Sequence, residues 1–483
     1  MQKKVLYIAV ASALAAMSVG AHAADTYFDN ITPLAASAGA TATPATPLTL
    51  SSPNFTQVTI ADKLTQNTLV PGSTSGNWDM ITANETGPNA GRYLFMPFET
   101  GTGGVQRVDL QDSNYNTRTV TIVAPGTQGF TSGDASRWTP WGSYLTAEES
   151  WGTGSTKGRL FEVTNATTAA ANGGNFVQRS VIPRVSHEGL AFDQQKSMYF
   201  IDELNGGSIY KYVSANANAT TGDDYFAAGQ TFALKVGAGG QFEGNNGPAI
   251  TGAATWVAIS EANGSAIAGV SVLANDGTID GRATADVASI AATGYNRPED
   301  LEVKTLANGD EPIFFATTDS DTNANTTDGR SRVYLFDTVS NEVKLFADSS
   351  TIDLATGQAV GGGLRNADNL AIDAAGNIYL IEDRNGASDD DVWLALDLNH
   401  DGDLTDAGEG LARWVSNGTP GSEITGLYFD KFDANKAYLN IQHPADGVDR
   451  LIQISAVPEP ESYAMFLAGL GLMGVVARRR NRK

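Results

Sequence analysis

One pattern recurs six times along this chain, and a repeat of that size constrains the fold more than any other feature of the sequence. The clearest pair sets HEGLAFDQQKSMYFIDELNGGSIYKYV, from His187, beside ADNLAIDAAGNIYLIEDRNGASDDDVWLAL, from Ala367. Each reads as an acid or Asn, a strand ending in Asp193 or Asp373, a turn, a strand ending in an acid pair, a loop and another strand. Stretches from Gly91, Trp141, Arg297 and Ile424 share the later part of the pattern. Apolar alternations are short, bounded by Gly, Asn and Asp, and no segment sustains a long helical period, so the chain is all-β. Repeated meanders at this spacing predict a six-bladed β-propeller over 81–456, because radial closure leaves few exposed strand edges. A pair of β-sandwiches is the rival, and the repeat disfavours it. The Gly-, Ala- and Asn-rich stretch 214–295 reads as an insertion with extra strands, such as one at Thr255, or as a hidden seventh blade.

The ends read as addresses. Lys3 and Lys4 precede an apolar run from Val5 to Val19, and Ala21-His22-Ala23 supplies a small-residue cleavage site, so 1–23 is a signal peptide. Residues 24–80 are expected to be a mobile lead-in, since Ala35 to Ser52 is dominated by Ala, Thr, Ser and Pro, which bury little apolar surface. At the other end, Val457-Pro458-Glu459-Pro460 is followed by an apolar stretch from Tyr463 to Ala477 and then Arg478, Arg479, Arg480, Arg482 and Lys483. That stretch is shorter than the ~20 residues of a stable span, and the cations hold its end on the cytoplasmic side. Hydropathy alone allows a permanent single transmembrane anchor or a transient inner-membrane one. The segment 457–483 resembles the PEP-CTERM sorting signal of Gram-negative bacteria. The resemblance implies export across the inner membrane, signal peptidase and exosortase as processing partners, and a final place in the cell envelope, at the surface or outside the cell.

Charge then narrows the chemistry. Lys and Arg number 31 against 54 Asp and Glu, a net −23, which disfavours a nucleic-acid partner because phosphate contacts need clustered cations. Cysteine is absent, excluding disulfides, thiolate zinc sites, iron–sulfur clusters and cysteine nucleophiles. In a propeller the first strand of each blade lines the central channel, so acids repeated at the strand ends converge at one mouth. The candidate metal ligands are Glu148, Glu149, Glu188, Asp202, Glu203, Glu299, Asp300, Asp368, Glu382 and Asp383, with Glu99 and Glu423 as outliers. Taken singly, each is more simply a solvated turn residue. Recurrence at one place in the repeat is what separate turns would not produce. Such crowding is costly unless cations neutralise it, and Ca²⁺ accepts about six to eight oxygen ligands.

A second calcium signal is DLNHDGDLTDAGE. Asp397, Asn399, Asp401 and the bend at Gly402 match the first half of an EF-hand loop. Asp403 and Asp406 follow, but Gly408 stands at the twelfth position and the closing acid, Glu409, comes one later. The segment is either a structural calcium loop or an Asp-rich surface turn. Other catalytic signals are scarce: there is no phosphate-binding loop and no G-x-S-x-G elbow.

TPWGSYLTAEES from Thr139, HEGLAFD from His187, RPEDLEV from Arg297 and ADNLAIDAAGNIYLIED from Ala367 together resemble the PhoX-type alkaline phosphatase family. The resemblance implies an exported propeller acting as a phosphoric monoester hydrolase, with a calcium and iron cluster at the channel mouth. In that family the TPWG segment runs into an iron-ligating Cys followed by Glu. Here Ala147 holds that place, which weakens the case for Fe³⁺ and leaves Ca²⁺ as the expected cofactor. Glu148, Glu188, Glu299 and Asp300 stand on matching motif positions. Glu148 and Glu188 are thus the expected catalytic carboxylates, with Arg297 and Arg384 either clamping the oxygens of a phosphate ester or paired with neighbouring acids. Two alternatives stay open. One is a non-catalytic calcium-binding propeller of the envelope or matrix, with an extracellular polymer as partner. The other is a calcium-dependent lactonase-like hydrolase, since ADNLAIDAAGNIYLIED also resembles six-bladed calcium lactonases and gluconolactonases.

Overall fold

Each repeat folds into an antiparallel meander whose alternating side chains bury one set of residues against each neighbouring meander. The computed structural model describes residues 28–69, 76–244, 247–283, 287–318, 331–384 and 389–457. The expected signal peptide, 1–23, and nearly all of the sorting segment lie outside the described residues. Among the described residues, no helix is long and apolar enough to cross a membrane.

Six four-stranded blades follow one another. Blade 1 comprises Thr82–Ala83, Tyr93–Pro97, Val105–Asp109 and Thr119–Val123. Blade 2 comprises Gly133–Trp138, Tyr144–Glu148, Leu160–Val163 and Phe176–Gln178, and blade 3 Leu190–Phe192, Met198–Ile201, Ile209–Ser214 and Gly229–Val236. Blade 4 comprises Pro298–Val303, Ile313–Thr317, Arg332–Asp337 and Glu342–Ala347, and blade 5 Ala367–Ile372, Ile378–Glu382, Asp391–Leu396 and Gly410–Asn417. Blade 6 takes Glu423–Phe429, Lys436–Gln442 and Arg450–Ala456 from the end of the chain and its outer strand, Phe55–Asp62, from the beginning. That last pairing closes the ring and covers an edge that would otherwise be open.

The core is divided in the same way. Six apolar clusters each lie between two successive blades, including one between blades 6 and 1 built from Ile60, Trp78, Leu94, Tyr428 and Leu451. The ring is thus held by side-chain burial on both flanks of every blade, and the inner strands of neighbouring blades pack side by side around the axis.

Two stretches differ from expectation. The lead-in is built into the propeller: besides Phe55–Asp62, Leu48–Leu50 pairs with the outer strand of blade 5, and the buried Phe28 packs edge-on against Trp414 and Phe429. A few large apolar residues at Phe28, Leu48 and Phe55 supply the burial that the average composition of the stretch hides. The presumed insertion already contains the outer strand of blade 3. Its extra strand, Gly252–Ala258, pairs with that strand and with the outer strand of blade 4, joining both blades into one nine-stranded sheet without adding a seventh blade.

Candidate metal centre

The channel mouth is shaped by two recurring positions. The first lies where each inner strand begins. There stand Asp79, Asp134, Glu188, Glu299 and Asp368 in blades 1 to 5, while blade 6 places Glu423 at the start of its inner strand. In blades 2, 4 and 5 the register slips at this point, between Gly133 and Ser136, Pro298 and Leu301, and Ala367 and Asn369. Such bulges turn a side chain out of the regular alternation, here toward the axis. The second position follows the second strand and supplies Glu99, Glu149, Glu203 and Asp383. Together with Trp151, Arg297, Gln442 and His443, these acids line one cavity of about 390 Å³.

Strand alternation decides which member of each acid pair arrives there. Neighbouring residues on a strand face opposite ways, so Glu149, Glu203 and Asp383 enter the cavity and Glu148, Asp202 and Glu382 do not. Glu148 is fully buried in a bidentate ion pair, Arg159 donating through Nε at 2.8 Å and through Nη2. Asp202 accepts the Ser186 amide at 3.0 Å, and burial pushes its carboxyl up to about 7. Glu382 accepts the amides of Arg365 and Asp391 and the indole N–H of Trp393. Asp300 follows Glu299 and staples two blades, its carboxylate accepting the amides of Leu301 and of Leu370 in blade 5. Asn369 does the same for Gly426 in blade 6 at 2.7 Å. Arg384 pairs with Asp389 at 2.7 Å, away from the cavity. Glu148, Asp202, Asp300, Glu382 and Arg384 therefore serve the blades, whereas Glu149, Glu188, Glu203, Arg297, Glu299, Asp368 and Asp383 come together.

Sequence reasoning left out Asp79 and Asp134. Asp79 fell in the presumed lead-in, ahead of an inner strand only two residues long, and Asp134 precedes the TPWG segment from which its unit was read. Counting one acid per unit back from each second strand would have found both.

The electrostatics of the cavity are extreme. Burial first, and neighbouring carboxylates after it, push Asp79, Glu188, Glu203 and Asp368 well above the usual carboxylate range. Burial also drives Asp134 well up, against a hydrogen bond with Glu188, and raises Glu99 to about 8, Glu299 to about 7 and Glu423 to about 12. Carboxyls face one another in pairs close enough to share a proton: Asp79 with Glu99, Asp134 with Glu188, Glu149 with Glu203, and Asp383 with Glu423. Glu149, Glu188 and Glu203 offer three oxygens within 4.8 Å of one another, and Glu188, Glu299 and Asp368 offer another three, so the two sets share Glu188. Glu299 Oε2 and Asp134 Oδ1 are buried without a hydrogen-bond partner. Oxygen-only donors, crowded, buried and partly unsatisfied, fit hard metal cations.

Arg297 is the cavity's guanidinium. It stacks on Trp151 at 4.7 Å and pairs with Glu203 and, at 3.3 Å, with Glu299. The Trp151 indole N–H donates to Glu149, so one ring positions both a candidate ligand and the arginine.

Residues 129–445 match the family described as alkaline phosphatase PhoX. The chain belongs to the PhoX family. Members of this family depend on metal, in keeping with the acids at the mouth of this PhoX propeller. Ala147 of this PhoX chain does not line the cavity; it is buried with Leu145, Leu160, Val185 and Leu190 in the apolar cluster between blades 2 and 3. Residues 456–481 match the PEP-CTERM protein-sorting motif, which marks export and envelope targeting in Gram-negative bacteria. Among solved structures, the calcium form of a Trichoderma reesei carbohydrate-active enzyme of family AA12 is similar at a TM-score of 0.42 and 11% identity, over 86% of this chain and 98% of that one. PQQ-bound aldose sugar dehydrogenase from Streptomyces coelicolor gives 0.39 and 12%, over 86% and 99%. Likeness of that order bears on no point of chemistry. No curated protein matches the sequence.

Proposed function

We propose that this PhoX propeller is an exported, calcium-dependent phosphomonoesterase whose chemistry occurs in the acidic cavity at the channel mouth. The observation that carries this reading is the pair of three-carboxylate sets joined through Glu188. Calcium bound there would polarise phosphoryl oxygens and offset the charge of an anionic substrate in a mouth that otherwise repels it. Glu149, Glu188, Glu203, Glu299 and Asp368 are the holding residues, with Asp134 beside Glu188. Arg297, fixed against Trp151, is the residue that meets substrate oxygens, where a planar guanidinium gives two parallel hydrogen bonds. Thr318 donates to Glu299 at 2.8 Å and Gln442 to Glu99 at 2.7 Å, orienting those carboxylates. Signal peptidase and exosortase are its processing partners.

A second reading is favoured by Arg297, whose guanidinium is already paired with Glu203 and Glu299: a calcium-binding propeller of the envelope that turns over nothing. Hydrolysis of an aryl phosphate by the mature chain, with calcium and after chelation, separates the two. Turnover that appears with calcium and disappears with chelator supports the phosphoesterase. A chain that has taken calcium into the mouth and still leaves the ester intact is the binding propeller.

A further inference from the structure

The loop 397–409 joins the third and outer strands of blade 5, at the ends opposite those that carry the acidic cavity, so it serves no chemistry there. Asp397 is only 9% exposed; its Oδ2 accepts the Gly402 amide at 3.2 Å, which directs the carboxylate into the loop, and its Oδ1 is buried with no partner. In the same loop, Asn399 Nδ2 bridges two carboxylates, at 3.0 Å from Asp401 Oδ2 and 2.7 Å from Asp406 Oδ2. One amide thus holds together charges that would otherwise separate. Glu409 is already engaged, accepting the amides of Leu398 and Asn399 on Oε1 and of Asp406 on Oε2, and it closes the loop from its displaced position.

We infer that this loop is a second, structural calcium site, with Asp397 Oδ1, Asn399 Oδ1, Asp401 and Asp406 as side-chain ligands and Glu409 as the backbone clamp that shapes it. Water and backbone carbonyls complete the shell of about six to eight oxygens that Ca²⁺ takes. The loop buries Leu404 in the cluster between blades 4 and 5, and at Gly402, with φ of +85°, a Cβ would come within 2.5 Å of Leu335 in blade 4. Calcium in the loop therefore fastens blade 5 to blade 4.

The mature chain and its Asp401→Asn/Asp406→Asn variant, stripped with chelator and dialysed against about 1 mM calcium, the range of extracellular modules, are compared for calcium bound per chain. Both positions are exposed, so the variant keeps its fold. One calcium fewer in the variant, and a smaller calcium-induced rise in Tm, is expected. Asp397→Asn, which keeps an acceptor for Gly402, loses the same single equivalent. Equal calcium content in parent and variants overturns the site. Glu188→Gln retains the loop calcium, so a failure at the channel mouth is distinguishable from a failure here.

Discussion

Glu188 is the residue on which the two carboxylate sets meet, and its substitution separates metal binding from folding. Glu188→Gln keeps the shape and replaces a carboxyl whose ionisation is opposed by burial and by the neighbouring acids, so the metal-free protein gains stability at pH 8. The same change removes a ligand from both sets and should lower channel calcium affinity by about a hundredfold or more, on the scale of losses seen when even supporting residues of a metal site change. Calorimetry with and without calcium reads both effects; a Glu188→Gln chain that still gains the parent's full calcium-dependent Tm would count against the shared ligand. Glu148→Gln should do the opposite. It leaves Arg159, part-exposed and still donating to the carbonyls of Gln128 and Gly129, beside a neutral amide, a loss of about 1–3 kcal/mol, and calcium binding per folded chain is unchanged in a titration of the variant. The sequence shows acid pairs at strand ends but not which member faces the axis. The phase of each strand settles that, and one residue of slip, as at the bulge holding Glu299 and Asp300, reverses it.

Among the elements, the bulged starts of the inner strands position the site. Gly189, directly after Glu188, has no room for a side chain: a Cβ there would lie 2.3 Å from Asp300 Oδ1 and 2.4 Å from the Leu301 amide. Gly189→Ala should push blade 4 outward and weaken calcium binding more than it lowers Tm, as a calcium titration beside a melting curve will show. The closing strand Phe55–Asp62 has a different task. Deleting residues 24–62 bares the edge of Arg450–Ala456, and oligomers or aggregates in size-exclusion chromatography are expected; a monomer with an unchanged melting curve would show that the strand does not close the ring. The repeats of blades 3 and 5 were legible because each inner strand carries its own acid and Asp turn. The inner strand of blade 1, Thr82–Ala83, was not, because two residues show no periodicity. Nor does local composition reveal that Phe55–Asp62 pairs with a strand at the far end of the chain.

Across the whole molecule, the concentration of acids at one mouth ties stability to pH. Glu99 is raised to about 8 and Glu299 to about 7, while in the unfolded chain a glutamate titrates near 4.3. Between those limits the folded state binds more protons than the unfolded one, so stability of the chelated protein falls as pH rises from about 4 to 8, and Glu423, raised to about 12, continues the fall above that. Saturating calcium should flatten that slope, because a cation replaces the protons. Melting temperatures at pH 5 and pH 8, with chelator and with calcium, test the sign; a chelated protein more stable at pH 8 would contradict it.

The most direct test of the central claim is the calcium content of the mature protein purified without chelator, measured beside that of Glu188→Gln. Calcium present in the parent and reduced in the variant by at least one equivalent per chain is the predicted result. Equal content in the two proteins, or none in the parent, would mean that the acids of the six blades meet at the mouth without holding metal.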